Sequence, residues 1–166
     1  MDRGNIYIYT GNGRGKSAAA WGRAIQTATE GKRVVVIQFL KGKGLVGEDY
    51  IKRLEPEIKL FHFEKSEESF DDLTEEKKQE EIANICNGLK FANKVLSVED
   101  CDLLILDEVL GLVDMNIISK DDLINLLENR RDTDIILTGT HLEDSICYAA
   151  HEISQIETVK FRVWKD

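Results

Sequence analysis

Eight residues near the amino terminus combine three glycines, a lysine and a serine in a spacing suited to binding phosphate. They run Thr-Gly-Asn-Gly-Arg-Gly-Lys-Ser from Thr10 to Ser17. Closely spaced glycines let backbone N–H groups converge on an anion, and a helix that begins after them adds the positive end of its dipole. The Lys16 ammonium supplies a charge for terminal phosphates, and the Ser17 hydroxyl is suited to ligating Mg²⁺. The sequence therefore predicts a site for a nucleoside triphosphate with Mg²⁺.

The surroundings of this loop support that interpretation. An apolar run precedes the loop and a helical pattern follows it, which is the order that a phosphate-binding loop requires. The Walker pattern has Gly where this chain has Thr10, so the literal match is incomplete. The residues predicted to contact the nucleotide are Thr10, Gly11, Asn12, Gly13, Arg14, Gly15, Lys16 and Ser17.

A second candidate element is an apolar run that ends in two carboxylates, Asp107 and Glu108. On its own, such a run is also what a simple capped strand end looks like. After a phosphate loop, it is typical of the acidic strand that lies beside the magnesium ion. We predict Ser17, Asp107 and Glu108 as metal ligands, and Lys16 and Glu108 as the catalytic groups.

The elements that must position these residues alternate between strand and helix patterns. Strands are predicted at 5–10, 34–39, 58–63, 102–107 and 134–139, with a weaker sixth at 153–161, and helices at 17–29, 49–54, 74–96, 120–128 and 142–149. Alternation of this kind predicts an α/β fold with a mostly parallel sheet of five or six strands between two helical layers, and ligands at the carboxyl ends of the strands. The loop motif makes this a three-layer P-loop NTPase fold of the RecA-like type. The charged stretch 64–78 is predicted to be a mobile surface loop.

Composition limits the classes of protein to consider. A chain of 166 residues with one proline and no linker predicts one domain over 1–166. It has neither a long apolar run nor a signal-peptide pattern, so we expect no membrane insertion and a cytoplasmic location. The net charge of −9 argues against general nucleic-acid binding. Residues 1–53 are nevertheless basic, with ten Lys or Arg against four Asp or Glu, which fits a local polyanion site.

The loop resembles that of the ATP:corrinoid adenosyltransferases of the BtuR/CobO type more than that of ordinary ATPases or kinases. Three further strings agree with this family in order and spacing. They are Gln38-Phe-Leu-Lys41-Gly with Gly47-Glu48 shortly after, Leu106-Asp107-Glu108, and Thr138-Gly139. The resemblance runs from about residue 5 to residue 160, nearly the whole chain.

The resemblance implies transfer of the 5'-deoxyadenosyl group of ATP to the cobalt of cob(I)alamin or a related corrinoid, with release of triphosphate. The reduced cobalt is the nucleophile, so the protein has to align the reactants and stabilise charge on the leaving group. The resemblance also implies a homodimer and a flavin-dependent electron donor.

Three further residues are assigned to the site by this resemblance. Lys41 and Glu48 would enclose the nucleotide or the corrinoid, although a Lys-Gly turn before an acidic helix start is also ordinary loop chemistry. Phe70, in a polar loop, is the candidate for facing the corrin, whereas Phe61 and Phe63 alternate on a strand and are expected in the core. Trp21 is expected to pack.

The chain departs from the family pattern at several positions. It has Thr140 where the family has Arg, His151 where it has Asp and Phe161 where it has His. It also begins close to the first strand, without the family's N-terminal extension over the corrinoid. A cationic contact to phosphate is therefore expected to be missing, and His141 and His151 are read as surface or capping residues.

Two other functions stay open at this point. The first is a phosphate-loop ATPase or kinase in which Glu108 orients water or a substrate hydroxyl. The second is a nucleotide-binding regulator that descends from a transferase and has lost catalysis.

Overall fold

The computed structural model describes residues 2–41, 48–98 and 101–162. The strands are β1 (Ile6–Thr10), β2 (Val34–Gln38), β3 (Ile58–His62), β4 (Leu103–Asp107), β5 (Asp134–Thr138) and β6 (Glu152–Gln155). The helices are α1 (Lys16–Thr29), α2 (Glu48–Ile51), α3 (Glu75–Val98), α4 (Val109–Asp114), α5 (Lys120–Glu128) and α6 (Asp144–Cys147), with 3₁₀ turns at Lys52–Leu54 and Phe70–Asp72.

All six strands form one parallel sheet in the order β3-β2-β4-β5-β1-β6. Strand β5 lies between β1, which precedes the glycine loop, and β4, which ends in the two carboxylates. This separation of the loop strand from the acidic strand by one strand is the arrangement of RecA-like phosphate-loop folds. The predicted fold class is therefore confirmed.

The sheet is covered on both faces, which explains why its strands have continuous apolar runs rather than alternating ones. Alternate residues of each strand enter different cores. Ile8, Ile37, Leu104 and Leu106 pack with helices α3, α4 and α5. The intervening residues, such as Val36 and Ile105, pack against Ala20 and Ala24 of α1. The two alanines are one helical turn apart, and their small side chains let α1 approach the sheet closely.

Three predicted elements differ from the structure, and one helix was not predicted. The weak strand predicted at 153–161 ends at Gln155, because the backbone after it turns to bond the glycine loop: Ile156 N donates to Thr10 O, and Gly13 N donates to Ile156 O. The helix predicted at 142–149 spans only Asp144–Cys147. Helix α4 was not predicted, because its apolar residues continue the run of β4 without a helical period. The stretch 64–78, predicted as a surface loop, contains a buried Leu73.

None of the helices in the described part of the chain is both long enough and apolar enough to cross a membrane.

The glycine after β5 predicts a specific packing effect. A Cβ atom on Gly139 would lie 2.4 Å from the Leu110 Cβ on α4, far inside van der Waals contact. Gly139→Ala should therefore lower the free energy of unfolding by about 1–3 kcal/mol, measured by urea denaturation.

Gly22→Ala is the matched control for that substitution. Gly22 lies inside α1, and a Cβ there would meet no atom within 4 Å. This variant should be more stable than the wild type by about 0.5–1 kcal/mol. Equal effects of the two substitutions would contradict the close approach of β5 and α4.

Candidate active site

The glycine loop joins β1 to α1 and leaves unpaired backbone N–H groups at the start of the helix. Gly11 and Gly15 have φ angles of 111° and 104°, which L side chains rarely adopt. Within the described residues, the N–H groups of Gly15, Lys16 and Ser17 have no hydrogen-bond acceptor. Unpaired donors at the positive end of a 14-residue helix form an anion-binding position.

The side chain of Lys16 lies across the loop that precedes it. Its Nζ donates to the carbonyl oxygens of Gly11 and Gly13, each at 2.8 Å. These two bonds hold the ammonium group over the loop, beside the unpaired amides. A phosphate anion bound there would meet both kinds of donor.

Asp107 is the centre of a buried hydrogen-bond network at the end of β4. Its Oδ1 accepts from the Ser17 hydroxyl at 2.8 Å and from the Thr138 hydroxyl at 2.6 Å. The residue is 1% exposed. Its Oδ2 has no hydrogen-bond partner in the described part of the chain, and the Lys41 Nζ lies 3.8 Å from it. A buried carboxylate oxygen without a donor is a position where a ligand or a water molecule is expected.

Glu108 follows in an unusual backbone conformation. Its φ of 61° lies in the left-handed region, which costs a residue other than glycine roughly 1–3 kcal/mol and is frequent at functional sites. The Thr138 hydroxyl accepts its N–H at 2.8 Å and so fixes the turn. Burial, followed by the Asp107 charge, raises the pKa of the Glu108 carboxyl, while Lys41 and Lys16 act in the opposite direction. Glu108 is therefore electrostatically coupled to both lysines.

Several predicted nucleotide contacts are directed elsewhere in this structure. The guanidinium of Arg14 lies 4.0 Å from the centre of the Phe161 ring, and the backbone N–H of Arg14 donates to the Thr158 hydroxyl at 3.0 Å. Arg14 thus contacts the segment after β6 in this structure, and its contact to the nucleotide stays a prediction. The Thr10 hydroxyl donates to the Thr140 carbonyl at 3.1 Å, and Asn12 is exposed.

Glycines at positions 11 and 13 are also required by the segment after β6. A Cβ on Gly11 would lie 2.4 Å from the Ile156 carbonyl oxygen, and one on Gly13 would lie 2.6 Å from it. Gly13 N donates to the same oxygen at 2.8 Å. Gly11 and Gly13 therefore allow the backbone after β6 to pack closely against the loop, whereas Gly15 provides the left-handed conformation from which α1 begins.

Of the three residues assigned by family resemblance, Lys41 follows β2 and Phe70 follows β3, and both are described in full. Lys41 reaches Asp107, as given above. The side chain of Glu48 lies outside the described residues, as do Gly42 and Gly47, although Glu48 begins α2. Phe70 is half-buried on a 3₁₀ turn, with the Lys78 Nζ 5.9 Å from its ring centre.

The aromatic and histidine residues that were expected to be structural have structural contacts. Phe61 and Phe63 contact Phe91, at ring-centre distances of 4.6 and 5.5 Å. Trp21 packs against the core under α1. His151 caps the start of β1 by accepting the N–H of Ile6 at 3.0 Å, and His141 pairs with Asp114 at the surface.

Two polar residues near Asp107, Thr138 and Gln38, were named in family-like strings but were not assigned to the site from the sequence. Thr138 donates to Asp107, which also accepts from Ser17, and Thr138 accepts the N–H of Glu108. Gln38 is opposite Asp107 in the β2–β4 register and is 1% exposed, and its Nε2 has no partner among the described residues. The signals available for Gln38 were its place at the start of the family-like string Gln38-Phe-Leu-Lys41 and its polar side chain at the end of the apolar run Val-Val-Val-Ile.

Comparison with known protein families adds to this geometry. The profile of the ATP:corrinoid adenosyltransferase BtuR/CobO/CobP family matches residues 2–166. The corrinoid adenosyltransferase of Escherichia coli K12 is 29% identical over 160 residues, covering 96% of this chain and 79% of that protein. The corrinoid adenosyltransferase of Pseudomonas aeruginosa is 28% identical, with 96% and 77% covered. Corrinoid adenosyltransferase CobA of Salmonella typhimurium is 30% identical over 161 residues, with 96% and 79% covered.

Solved structures with similar folds include two replication proteins. The replication initiator DnaA bound to AMPPCP and single-stranded DNA has a TM-score of 0.48 and 17% identity, covering 93% of this chain and 40% of that one. A DNA replication initiation factor has a TM-score of 0.46 and 15% identity, with the same coverage.

The network around Thr138 predicts an effect on activity as well as on stability. Thr138→Val keeps the shape of the side chain but removes a donor from Asp107 and an acceptor from Glu108 N. We expect a loss of about 1–3 kcal/mol in the free energy of unfolding. We also expect kcat/KM for turnover of ATP to fall at least about tenfold, because the two acidic groups lose their alignment.

Thr133→Val is the matched control. The Thr133 hydroxyl is buried just before β5 and donates to the Cys101 carbonyl at 3.0 Å, at the opposite end of the sheet. It should cost a comparable amount of stability without changing kcat/KM. If both variants lose activity equally, Thr138 has only a structural role.

Proposed function

The chain belongs to the ATP:corrinoid adenosyltransferase BtuR/CobO/CobP family, and from this membership we propose how its phosphate loop and acidic strand carry out adenosyl transfer. The activity predicted from the sequence, corrinoid adenosyl transfer, is confirmed by the family and by the curated relatives that match nearly the whole chain. ATP and a corrinoid are therefore the substrates.

In the proposed reaction, the lone pair of the reduced cobalt attacks the 5' carbon of the ATP ribose. A cobalt–carbon bond forms, the carbon–oxygen bond to the triphosphate breaks, and the triphosphate leaves with the electron pair. No side chain has to act as nucleophile or base. The protein contributes alignment of the carbon with the cobalt and stabilisation of the growing negative charge on the triphosphate.

The leaving triphosphate is bound, in this proposal, by the loop donors and Lys16. The free amides of Gly15, Lys16 and Ser17 at the start of α1 are the observation that carries the assignment. The ammonium of Lys16, bonded to the Gly11 and Gly13 carbonyls, lies beside them. Donors that are already oriented stabilise developing charge without having to reorganise.

Ser17, Asp107 and Glu108 are the residues proposed to hold a Mg²⁺ ion with the triphosphate. The fit is supported by the buried Asp107 Oδ2, which has no hydrogen-bond partner among the described residues. No three His, Cys, Asp or Glu side chains form a metal-binding cluster in those residues. Mg²⁺ commonly takes one or two carboxylates and completes its shell with phosphate and water. When bound, it would neutralise charge on the triphosphate.

Lys41, Glu48 and Phe70 are proposed to border the nucleotide and the corrinoid. Support for Lys41 comes from its ammonium, which lies 3.8 Å from Asp107 Oδ2. Phe70 follows β3 at the same edge of the sheet and shares a pocket with Leu40, next to Lys41 in the chain. We further propose one nucleotide-binding domain over 1–166, a homodimer, a flavin-dependent electron donor and a cytoplasmic location.

An anaerobic assay with MgATP and chemically reduced cobalamin tests the proposed reaction. Adenosylcobalamin and one triphosphate per turnover are expected. Release of ADP would instead indicate an ATPase or a kinase. ATP binding without either product would indicate a regulator that has lost catalysis.

Lys16→Ala should weaken ATP binding more than about tenfold, because a charge-assisted contact to the triphosphate is removed. Isothermal titration calorimetry with MgATP measures the effect. Lys32→Ala is the control, since Lys32 is exposed and pairs with Glu30 after α1. Unchanged ATP affinity in the Lys16 variant would contradict the assignment of the phosphate site.

Glu108→Gln should slow Mg²⁺-dependent turnover while leaving the fold intact, because a proposed metal ligand loses its charge. Glu143→Gln, at an exposed ion pair with Lys120, is the control. A fully active Glu108 variant would show that this carboxylate only terminates the strand.

The same variant also has a stability prediction that depends on pH. The pKa of Glu108 is raised by folding, so the folded state binds its proton more tightly than the unfolded state. Its contribution to stability is present below the unfolded pKa, near 4.5, and is lost as the pH rises through the folded pKa. The stability of Glu108→Gln relative to the wild type should therefore increase as the pH is raised through this range.

A further inference from the structure

The chain makes a sharp left-handed turn immediately before Lys41. Strand β2 ends at Gln38, and Phe39 N still donates to the Asp107 carbonyl at 3.0 Å. Leu40 then has a φ of 57°. This left-handed conformation is unfavourable for residues other than glycine, so contacts with neighbouring groups have to stabilise it. After this turn, the Lys41 ammonium lies 3.8 Å from Asp107 Oδ2.

A carboxylate from the next strand holds this turn. Both oxygens of Glu64 accept the N–H of Leu40, at 2.8 and 3.2 Å. Glu64 comes two residues after the end of β3, which neighbours β2 in the sheet. The backbone donor at the exit of β2 is thus satisfied by a charged group at the exit of β3. Hydrogen bonds to an ionised acceptor are about twice as strong as those between neutral groups.

A second carboxylate, a buried one, accepts with both oxygens the backbone N–H of the residue after Glu64 in the chain. Glu81 of α3 is 6% exposed and accepts the N–H of Lys65 at 3.0 and 3.2 Å. It also accepts from Asn84 Nδ2 at 3.0 Å. Glu64 and Glu81 line one small pocket with Leu40, Ser66, Glu68, Phe70 and Leu73. Glu81 is therefore a suitable control residue for Glu64, because it makes the same kind of hydrogen bond but to the N–H of Lys65 instead of Leu40.

From these contacts we propose that Glu64 is a positioning residue of the ATP site, because its carboxylate fixes the Leu40 turn that brings Lys41 to Asp107. The proposal rests on the proposed function in one respect, namely that Lys41 borders the bound ATP. Glu64 itself does not touch ATP. It acts through the backbone of residues 40 and 41, and it connects the loop that carries Phe70 to the phosphate site.

The ionisation of Glu64 gives this role a signature in pH. Burial raises the pKa of Glu64 to about 7, the nearby Glu81 charge adds to the rise, and the Leu40 hydrogen bond and His62 oppose it. Glu68 is the other charged group that lines the pocket. Above pH 7, Glu64 is an anion and a strong acceptor for Leu40 N. Below it, the carboxyl is neutral and holds the turn more weakly.

The test compares Glu64→Gln with Glu81→Gln in the transferase assay, measuring KM for ATP and kcat between pH 6 and pH 8.5. At pH 8, Glu64→Gln should raise KM for ATP about fivefold, the difference expected between a charged and a neutral acceptor, with little change in kcat. The wild type should reach the same KM as the pH falls to 6. Glu81→Gln should behave like the wild type at pH 8, but the rise in its KM should begin at lower pH, because Glu64 loses a like charge.

Lys41→Met and the double variant Lys41→Met/Glu64→Gln identify the route of the effect. If Glu64 acts through Lys41, the Glu64 substitution should add nothing to the KM of the Lys41 variant. Additive effects, or a loss of melting temperature in Glu64→Gln without a change in KM, would overturn the proposal.

Failure of the underlying site is distinguishable in the same experiment. If Lys16→Ala weakens ATP binding while Glu64→Gln leaves KM unchanged at every pH, the phosphate site stands and the role of Glu64 is overturned. If neither Lys16→Ala nor Lys41→Met changes ATP binding, the proposed site and the role of Glu64 both fail.

Discussion

The carboxylate of Asp107 is buried, since only 1% of the residue is exposed to solvent. Burial of an ionised group costs several kcal/mol unless hydrogen bonds and opposite charges compensate it. The compensation comes from three other segments: Ser17 at the start of α1, Thr138 at the end of β5, and Lys41 after β2. These segments are far apart in sequence and meet only because β2, β4, β5 and β1 are neighbours in a parallel sheet. The strand order is thus what makes the site possible.

The glycine loop is constrained from two sides, and its glycines serve different purposes. On one side, Gly15 adopts the left-handed conformation that starts α1 and leaves three amides free within the described residues. On the other side, the segment after β6 lies against Gly11 and Gly13 so closely that neither position has room for a Cβ. A loop held in this way keeps its donors oriented before any anion arrives, which is the condition for electrostatic preorganisation.

The sequence was sufficient for the fold class because its strongest signals are local. Buried strands such as 34–39 and 102–107 need apolar residues on both faces, and the glycine loop marks the first strand-to-helix connection. The predicted helix at 120–128 coincides with α5. The predicted strand at 153–161 failed because hydrogen bonds to the loop, made across more than 140 residues of sequence, end β6 at Gln155. A contact of that range leaves no periodic pattern in the sequence.

The site residues also divide into those indicated by a local motif and those that depend on contacts between distant segments. Lys16, Ser17 and Asp107 were predicted because each occupies a fixed place in a short motif, and the structure brings them together. Thr138 was named only as part of a family-like string and Glu64 only as part of a charged stretch, because the sequence does not show which groups a threonine or a glutamate will bond. Their importance is visible only through the groups they bond, Asp107 and Glu108 for Thr138, and Leu40 for Glu64.

In the proposed reaction, the negative charge on the triphosphate has to be compensated by positive groups of the site. The position where the family resemblance expects Arg is Thr140, which is exposed and whose carbonyl accepts from Thr10 and Gly11. Arg14 stacks on Phe161. Lys41 and Lys16 are the cations that act on the Glu108 carboxyl, and Lys16 belongs to the loop. Lys41 follows the left-handed turn at Leu40, a conformation that is unfavourable for leucine. Glu64, which accepts the N–H of Leu40, therefore influences where the Lys41 charge lies.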